Sequence, residues 1–380
     1  MKKYIAAALA LAISASVTVG CGVNEYYSGD KNTKSANANS TSTVTSTPSK
    51  PAADTQSPGD STKEVDNSQK PEPVKIDYNK VKPNEAGQIM VVMFHNFVET
   101  YPKGKNEYTT TFAEFENLLN ELYQKNYRLV NLEDMLNNNI DVPAGCIPMV
   151  FTFDDGTAGQ FNLIEQNGQL KANPKSAVGV METFNSKHPD FGLKGTFYVN
   201  LGVETFNGAG TVQDRLKYLI DKGFEIGNHT KTHVSLPDVK TAAKMLEEVG
   251  GNQKIMEEYI PGYKFKAFSL PFGNASKDLK DYVIQGNYQG TEYKHTSIVL
   301  VGANPSPSPV SPKFNPFAVP RVRSTGQEKV ECDLAWWIDA MAKGSSQYIS
   351  DGNKDTVVVP ESKKQNVDTK KLNGKELITY

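Results

Sequence analysis

From about Gln88 onward, short apolar runs of strand length alternate with longer segments whose apolar residues recur at helical spacing. The runs include IMVVMFH, IPMVFTF, GTFYV, FEIGN and TSIVLVG, and the segments between them include TFAEFENLLNELYQK and DVKTAAKMLEEVGGNQKIMEEY. Strands that alternate with helices form a parallel sheet, because each helix returns the chain to the edge where the strand began. About seven such strands over residues 88–345 favour closure into a (β/α) barrel over an open doubly wound sheet. In such a barrel, chemistry gathers at the carboxyl ends of the strands.

The first 87 residues differ in character from the rest of the chain. Residues 1–21 combine two lysines, an apolar run too short to span a membrane comfortably and small residues before Cys21, which predicts an export signal. The final TVGC resembles a bacterial lipoprotein signal with a lipidated cysteine; the alternative is an ordinary secretory signal followed by an unmodified cysteine. Residues 22–87 have almost no large apolar side chains, so we predict a disordered tether. We therefore expect an extracytoplasmic protein on the bacterial surface, anchored to the membrane through Cys21.

Charge and cysteine usage exclude several other classes of protein. The chain has 41 basic and 43 acidic residues, a net charge of −2 and no basic run, so nucleic acid is not an expected partner. No glycine-rich fingerprint follows any strand, which argues against a nucleotide site. Cys146 and Cys332 show no metal-binding spacing and are interpreted as two buried thiols or one disulfide.

Residues 346–380 are predicted to form a polar extension, and we expect a monomer.

Two adjacent carboxylates, Asp154 and Asp155, follow the apolar run MVFTF, where repulsion and desolvation both oppose them. An Asp-Asp-Gly turn is one explanation. Another strand-like run is followed by His229 and His233, four residues apart, a spacing that turns both imidazoles the same way in a helical turn or a tight loop. One carboxylate and two imidazoles form a three-ligand site for a divalent metal with open positions. The second carboxylate can then act as a general base, and the cation relieves the repulsion between the pair.

These segments together resemble a known family. TFDDG, GTFYVN and HTKTH are similar to the motifs of the polysaccharide deacetylases, the NodB-homology domain of carbohydrate esterase family four, over residues 88–345. The resemblance implies a distorted (β/α) barrel, a bound metal that is usually zinc, and removal of N-linked acetyl groups from a sugar polymer. It assigns Asp154 as the general base and Asp155, His229 and His233 as metal ligands, with the metal activating a water.

The third motif of the family departs from its usual form. It stands here as FSLPFG, in which the backbone N–H of Phe272 would donate to the oxyanion. Ser269 or Leu270 replaces the arginine that normally orients the base. Arg321 and Arg323 follow a later apolar run, and we favour Arg321 as the replacement; the alternative is that both are surface residues.

The fourth motif is echoed in ECDLAWWID. By the resemblance, Asp333 together with Trp336 or Trp337 would pack beside the histidines and wall the acetyl pocket. The alternative is that these tryptophans are simply part of the core.

The histidine that serves as the acid in the fifth motif is missing, since none follows His295. His95, at the end of the first strand in MVVMFHNF, resembles the acid of the circularly permuted poly-N-acetylglucosamine deacetylases and is the predicted acid. The alternative is a core or loop histidine. His188 and His295 are expected on surface loops.

The predicted function is a metal-dependent N-deacetylase, with zinc as the expected cofactor. The expected partner is an N-acetylated polysaccharide, either a GlcNAc-containing surface polymer or peptidoglycan. The alternatives are a catalytically impaired member of the family that binds glycan, or an O-acetyl esterase with the same site.

Overall fold

The computed structural model describes residues 76–103, 107–325 and 330–380. The predicted signal and most of the predicted tether, residues 1–75, lie outside the described residues. The folded part begins before the predicted boundary at Gln88, since Tyr78–Val81 form a helix and Asn84 and Glu85 are buried. By composition these polar residues look like part of the predicted tether, but they bond to residues far along the chain. Asn84 Nδ2, for example, donates to the Gln347 carbonyl at 2.6 Å.

The secondary structure follows the predicted alternation. The strands, numbered in chain order, are β1 Met90–Phe94, β2 Asn96–Val98, β3 Thr109–Thr111, β4 Tyr127–Leu129, β5 Ile147–Asp154, β6 Leu163–Gln166, β7 Gln169–Ala172, β8 Thr196–Val199, β9 Glu225–Asn228, β10 Ala267–Ser269, β11 Gln285–Tyr288, β12 Thr291–Lys294, β13 Ser297–Val299, β14 Val322–Arg323, β15 Thr356–Val359 and β16 Glu376–Thr379. The helices are α1 Tyr78–Val81, α2 Phe112–Gln124, α3 Leu132–Leu136, α4 Ala177–Lys187, α5 Val212–Asp221, α6 Ala242–Tyr259, α7 Asp281–Ile284 and α8 Leu334–Lys343.

The central sheet is parallel and curls on itself. Its seven-strand order is β13-β10-β9-β8-β5-β1-β14, and β4 pairs with the start of β5. Val322 in β14 pairs with Val92 in β1, while Val319, just before β14, forms a parallel bridge to Val299 at the end of β13. The segment that contains β14 therefore links β1 to β13, the strand at the opposite edge of the sheet. The prediction of a distorted (β/α) barrel of about seven strands is confirmed.

Apolar patterning explains how the helices cover this sheet. Every residue of β5 is buried, as expected for a central parallel strand with both faces covered. Helix α2 begins at a capping box, in which Thr111 Oγ1 accepts the Glu114 N–H at 3.2 Å and Glu114 Oε2 accepts the Thr111 N–H at 2.9 Å. Its apolar stripe packs into the same core as β5. These contacts hold the strand that ends in the adjacent aspartates.

The carboxy-terminal segment belongs to the same compact unit as the barrel. Strands β15 and β16 pair in parallel, and Gln347 and Ile349 form bridges to residues before β1. No helix among the described residues is long and apolar enough to cross a bilayer.

Candidate active site

The site lies at the carboxyl ends of four parallel strands of the central sheet. Asp154 ends β5, Ser269 ends β10, and His95 and His229 directly follow β1 and β9. Asp155 has a φ of 82°, in the left-handed region that non-glycine residues rarely occupy. The chain therefore turns directly after Asp154, and the two adjacent carboxylates contact different partners.

Asp155, His229 and His233, here called the metal trio, converge on one point. Each offers one ligand atom, and the three atoms lie within 4.8 Å of one another. Asp155 Oδ1 lies 3.4 Å from His229 Nε2 and 3.3 Å from His233 Nε2. His229 Nδ1 lies 2.8 Å from the Ser269 carbonyl oxygen, so it carries the proton and leaves Nε2 as a lone-pair donor. The two histidines lie on a loop, which settles the choice between a helical turn and a tight loop.

The residues of the trio fit a divalent cation. Asp155 Oδ1 is buried and has no hydrogen-bond partner among the described residues. Burial lowers the pKa of His233, and the adjacent His229 lowers it further, which favours the neutral imidazole that a metal requires. Burial raises the pKa of the Asp155 carboxyl, but the nearby His229 outweighs burial and holds the pKa below its usual range. One carboxylate oxygen and two imidazole nitrogens are a zinc-type ligand set.

Asp154 is held by Arg321 in a fully buried ion pair. Nη1 and Nη2 of Arg321 each lie 2.7 Å from a different oxygen of the Asp154 carboxylate. The other Arg321 donors go to Thr152 Oγ1 at 3.1 Å, Ser269 Oγ at 3.0 Å and the Leu300 carbonyl at 2.7 Å. All five N–H groups of the guanidinium are thus satisfied. The predicted contact between Arg321 and Asp154 is present, and its catalytic role stays a prediction.

The electrostatics of this pair keep Asp154 ionised. Burial alone would raise the pKa of the Asp154 carboxyl, but the charge and hydrogen bonds of Arg321 outweigh burial and hold the pKa well below its usual range. Ser269 Oγ lies 3.0 Å from Asp154 Oδ2. Ser269 therefore contacts Asp154 and Arg321 through its hydroxyl and His229 through its carbonyl. In the sequence, Ser269 stands out only as one of two residues that replace the usual arginine of the third motif.

His95 lies next to Asp154 at the mouth of the barrel. His95 Nε2 is 3.9 Å from Asp154 Oδ2, and its ring centroid is 4.9 Å from that of Tyr108. Gln160 Nε2 donates to the His95 carbonyl at 2.6 Å and also to the Asp154 carbonyl, which ties the ends of β1 and β5 together. Burial lowers the pKa of His95. The structure thus brings the predicted acid beside the predicted base.

Phe272 lies in a short turn, Pro271–Gly273, beside the metal trio. Its ring packs against the His233 ring with centroids 4.7 Å apart, and 61% of the residue is exposed. Its φ is 57°, an unusual conformation for a bulky residue. The predicted oxyanion donor, the backbone N–H of Phe272, belongs to this turn.

The candidates from the fourth motif contact other parts of the fold. Asp333 caps α8, where Oδ1 accepts the Leu334 N–H at 2.7 Å and Oδ2 accepts the Thr325 N–H at 3.1 Å. Trp337 is buried in the main core and donates from Nε1 to the Ala303 carbonyl at 2.9 Å. Trp336 packs edge-on against Trp337. The described hydrogen bonds and ring contacts of these three residues do not reach Asp154 or the metal trio.

Three side chains have positions that the sequence did not reveal. The expectation of a surface loop is wrong for His295, which is fully buried, with Nδ1 2.6 Å from the Val283 carbonyl oxygen and Nε2 3.3 Å from Asn228 Nδ2. His188 directly follows α4 as its C-cap, and its ring lies against Tyr123 at a tilt, with centroids 4.3 Å apart. Cys146 is a free, buried thiol, so a disulfide between Cys146 and Cys332 is not formed.

A cavity of about 360 Å³ lies at the opposite end of the barrel, at the amino-terminal ends of β8, β9, β10 and β13. Its two carboxylates already have partners: Glu133 pairs with Lys266 at 2.6 Å, and Glu225 accepts the Thr196 hydroxyl at 2.6 Å. The convergent polar chemistry is at the other end, around Asp154 and the metal trio.

Comparison with known families places these motifs in context. Residues 141–291 match the family model described as polysaccharide deacetylase. The matched segment contains Asp154 and the whole metal trio, whereas His95 and Arg321 lie outside it.

Several solved structures are similar to this chain. A polysaccharide deacetylase from Bacillus cereus is 19% identical, with a TM-score of 0.48 over 67% of this chain and 69% of that chain. A deacetylase from Streptococcus pyogenes in complex with acetate is 14% identical, with a TM-score of 0.49 over 67% of this chain and 98% of that chain. IcaB from Ammonifex degensii is 18% identical, with a TM-score of 0.43 over 62% of this chain and 91% of that chain. No curated protein matches this chain.

Proposed function

We propose that this chain, of which residues 141–291 match the family model described as polysaccharide deacetylase, is a metal-dependent N-deacetylase of a GlcNAc-containing polymer. The polymer is an exopolysaccharide or peptidoglycan outside the membrane. The observation that carries the proposal is that two groups of side chains lie together at one end of the barrel. The first is the Asp154 carboxylate, held ionised by the buried Arg321, and the second is the metal trio, in which Asp155 Oδ1 has no described hydrogen-bond partner.

Each residue of the site has a distinct task in the proposed reaction. A divalent cation, which we propose to be zinc, held by the metal trio would polarise the acetamide carbonyl and lower the pKa of a water. Asp154 would act as general base and accept a proton from a water as the water oxygen bonds to the acetamide carbon, since Arg321 keeps the carboxylate ionised and orients both of its oxygens. The backbone N–H of Phe272 donates to the developing oxyanion. His95 gives a proton to the leaving amine, so the reaction ends with free acetate and a free amine on the sugar.

Two alternatives share the same site. The absence of an arginine from the third motif favours a catalytically impaired glycan-binding protein, but Arg321 contacts Asp154 from another strand. The absence of a histidine near the carboxy terminus favours the same alternative, but His95 Nε2 lies 3.9 Å from Asp154 Oδ2. An O-acetyl esterase would need the same base and metal ligands, so only the substrate separates it from an N-deacetylase.

Acetate release is the direct test. The full chain, loaded with zinc and compared with a chelated sample, is given N-acetylglucosamine oligomers, peptidoglycan and an O-acetylated glycan. We expect metal-dependent release from one of the N-acetylated polymers, lost in Asp154→Asn. Release from the O-acetylated glycan alone would indicate an esterase. No release with metal still bound would favour the glycan-binding protein.

We also propose that the protein is anchored outside the cytoplasmic membrane by a lipid on Cys21, a residue outside the described ranges. The support is the sequence pattern of residues 1–21. Metabolic labelling with a fatty acid tests it, since Cys21→Ala is expected to lose the label. An unlabelled wild-type protein would favour an ordinary secretory signal.

A further inference from the structure

The loop between the two histidines of the metal trio has an uncommon backbone. Thr230 has a φ of 66° and His233 a φ of 57°, and neither is glycine. A β-branched residue such as threonine rarely occupies this region. Such conformations persist where the surrounding structure determines them more strongly than the local preference of the chain. The contacts around this loop therefore set where the two imidazoles lie.

Asparagines anchor the first half of the loop. Asn228 Oδ1 accepts the Thr230 N–H at 3.0 Å, and Asn200 Nδ2 donates to the Thr230 carbonyl at 2.9 Å and to the His229 carbonyl. Helix α6 reaches the same network through Asn252, whose Nδ2 donates to Asn228 Oδ1 at 2.8 Å. His229 is thus fixed on both its backbone and its ring, which contacts the Ser269 carbonyl.

Glu248 of α6 anchors the second half of the loop. Its carboxylate accepts the Thr232 N–H at 3.0 Å and the Thr232 hydroxyl at 2.9 Å, and its carbonyl accepts the Lys231 N–H at 2.7 Å. The residue is completely buried, and Lys244 one turn earlier lies 3.0 Å from Oε1. A buried carboxylate is costly unless it is paired and hydrogen-bonded. The described partners of this carboxylate are Thr232, which directly precedes His233, and Lys244.

We infer that Glu248 is a positioning residue for the metal site. It acts through Thr232 to hold His233 where its imidazole can bind the same cation as His229 and Asp155. The inference rests on the proposed function, because it needs a cation at the trio. The described hydrogen bonds and ion pairs of the Glu248 carboxylate go to Thr232 and Lys244 and not to the trio itself. Groups that orient metal ligands from behind typically contribute a factor of about 10 to 100 in metal affinity.

The test measures metal binding and not turnover. In the full chain, Glu248→Gln removes the charge and one acceptor at nearly unchanged volume. We expect its Kd for cobalt(II), measured by titration, to rise about tenfold or more, and the visible spectrum of the cobalt-loaded protein to change as the ligand geometry relaxes. In the metal-free protein, hydrogen exchange at the Thr232 amide is expected to become faster. The matched control is Glu258→Gln on the same helix, whose exposed carboxylate pairs with Lys254 at 2.6 Å.

A second pair of variants covers the case in which Glu248→Gln does not fold. Thr232→Val removes the hydroxyl bond to Glu248, whereas Thr232→Ser keeps it. Weakened cobalt binding in the valine variant and near-normal binding in the serine variant would support the inference.

Affinity and spectrum equal to those of the control in folded Glu248→Gln would overturn the inference, as would equal binding by both Thr232 variants. A wild-type protein that binds no divalent metal would instead overturn the proposed function, and the inference with it.

Discussion

Arg321 and Asp154 are 167 residues apart in sequence, yet two N–H···O bonds of 2.7 Å join the guanidinium to both oxygens of the carboxylate. Neither side chain is accessible to any appreciable extent. This bidentate geometry fixes the orientation of the carboxylate as well as its charge. The base of the proposed reaction is therefore set by a residue outside the segment that matches the family model.

Arg321→Met is expected to lower kcat about 100-fold or more and to move the acid limb of the pH–rate profile to higher pH. Without the guanidinium, burial raises the pKa of the Asp154 carboxyl against only the weaker effects of His229 and His95, so the base becomes protonated at a pH where the wild type is still active. Stability should fall by about 3–5 kcal/mol, because a buried charge loses its partner. Steady-state kinetics across pH and urea unfolding measure both. Arg323→Met is the control, and equal pH profiles in wild type and Arg321→Met would contradict the assignment.

His95→Ala is expected to lower kcat by about 100-fold while leaving metal affinity unchanged, because His95 lies beside Asp154 and not within the metal trio. Kinetics and cobalt titration on the same preparation separate the two effects. His188→Ala, which removes a ring packed against Tyr123, provides the control. Unchanged kcat in His95→Ala would assign the acid elsewhere.

Gly227→Ala is expected to weaken both folding and activity. A Cβ at this position would lie 2.5 Å from Cδ1 and Cε1 of the Tyr198 ring, and that ring lies 5.8 Å from Arg321 Cζ. Overpacking here should cost about 1–3 kcal/mol and displace the arginine that orients Asp154. Urea unfolding and acetate release check the two effects. Gly344→Ala is the control, since its nearest neighbour would be 3.5 Å away; equal behaviour of both variants would exclude this packing route.

Glu85 is expected to make the fold less stable as pH rises from about 5 to 8. Burial and then the nearby Asp351 raise its pKa to about 8 in the folded protein, against roughly 4.3 in the unfolded chain. Between these two pKa values Glu85 is protonated in the folded state and ionised in the unfolded state. The stability that Glu85 contributes is therefore fully present below the unfolded pKa and is lost as pH rises through about 8. The free energy of unfolding should fall by up to about 1.4 kcal/mol per pH unit from this group.

Urea unfolding at pH 5, 6.5 and 8 checks this dependence. Glu85→Gln should flatten the curve, and Glu376→Gln, which removes an exposed carboxylate from β16, should not. Parallel curves for wild type and Glu85→Gln would contradict the prediction.

The local sequence pattern by itself determined those features of this protein that depend on residues close together in the chain. The alternation of strands and helices, the capping box at Thr111, and the placement of Asp154 and His229 where strands end all follow from periodicity and spacing. Parallel strands end at one edge, so these residues had to approach one another once the barrel closed.

Only the tertiary structure decided which distant partner satisfies each buried polar group. The pairing of β14 with β1 placed Arg321, and not Arg323, against Asp154. His295 and Glu85 have polar side chains that sequence reasoning places at the surface or in a tether, yet both are buried because partners far along the chain hydrogen-bond to them. Burying a polar group is tolerated only where such partners exist, and these pairings span 67 and 273 residues of chain, so no local pattern encodes them.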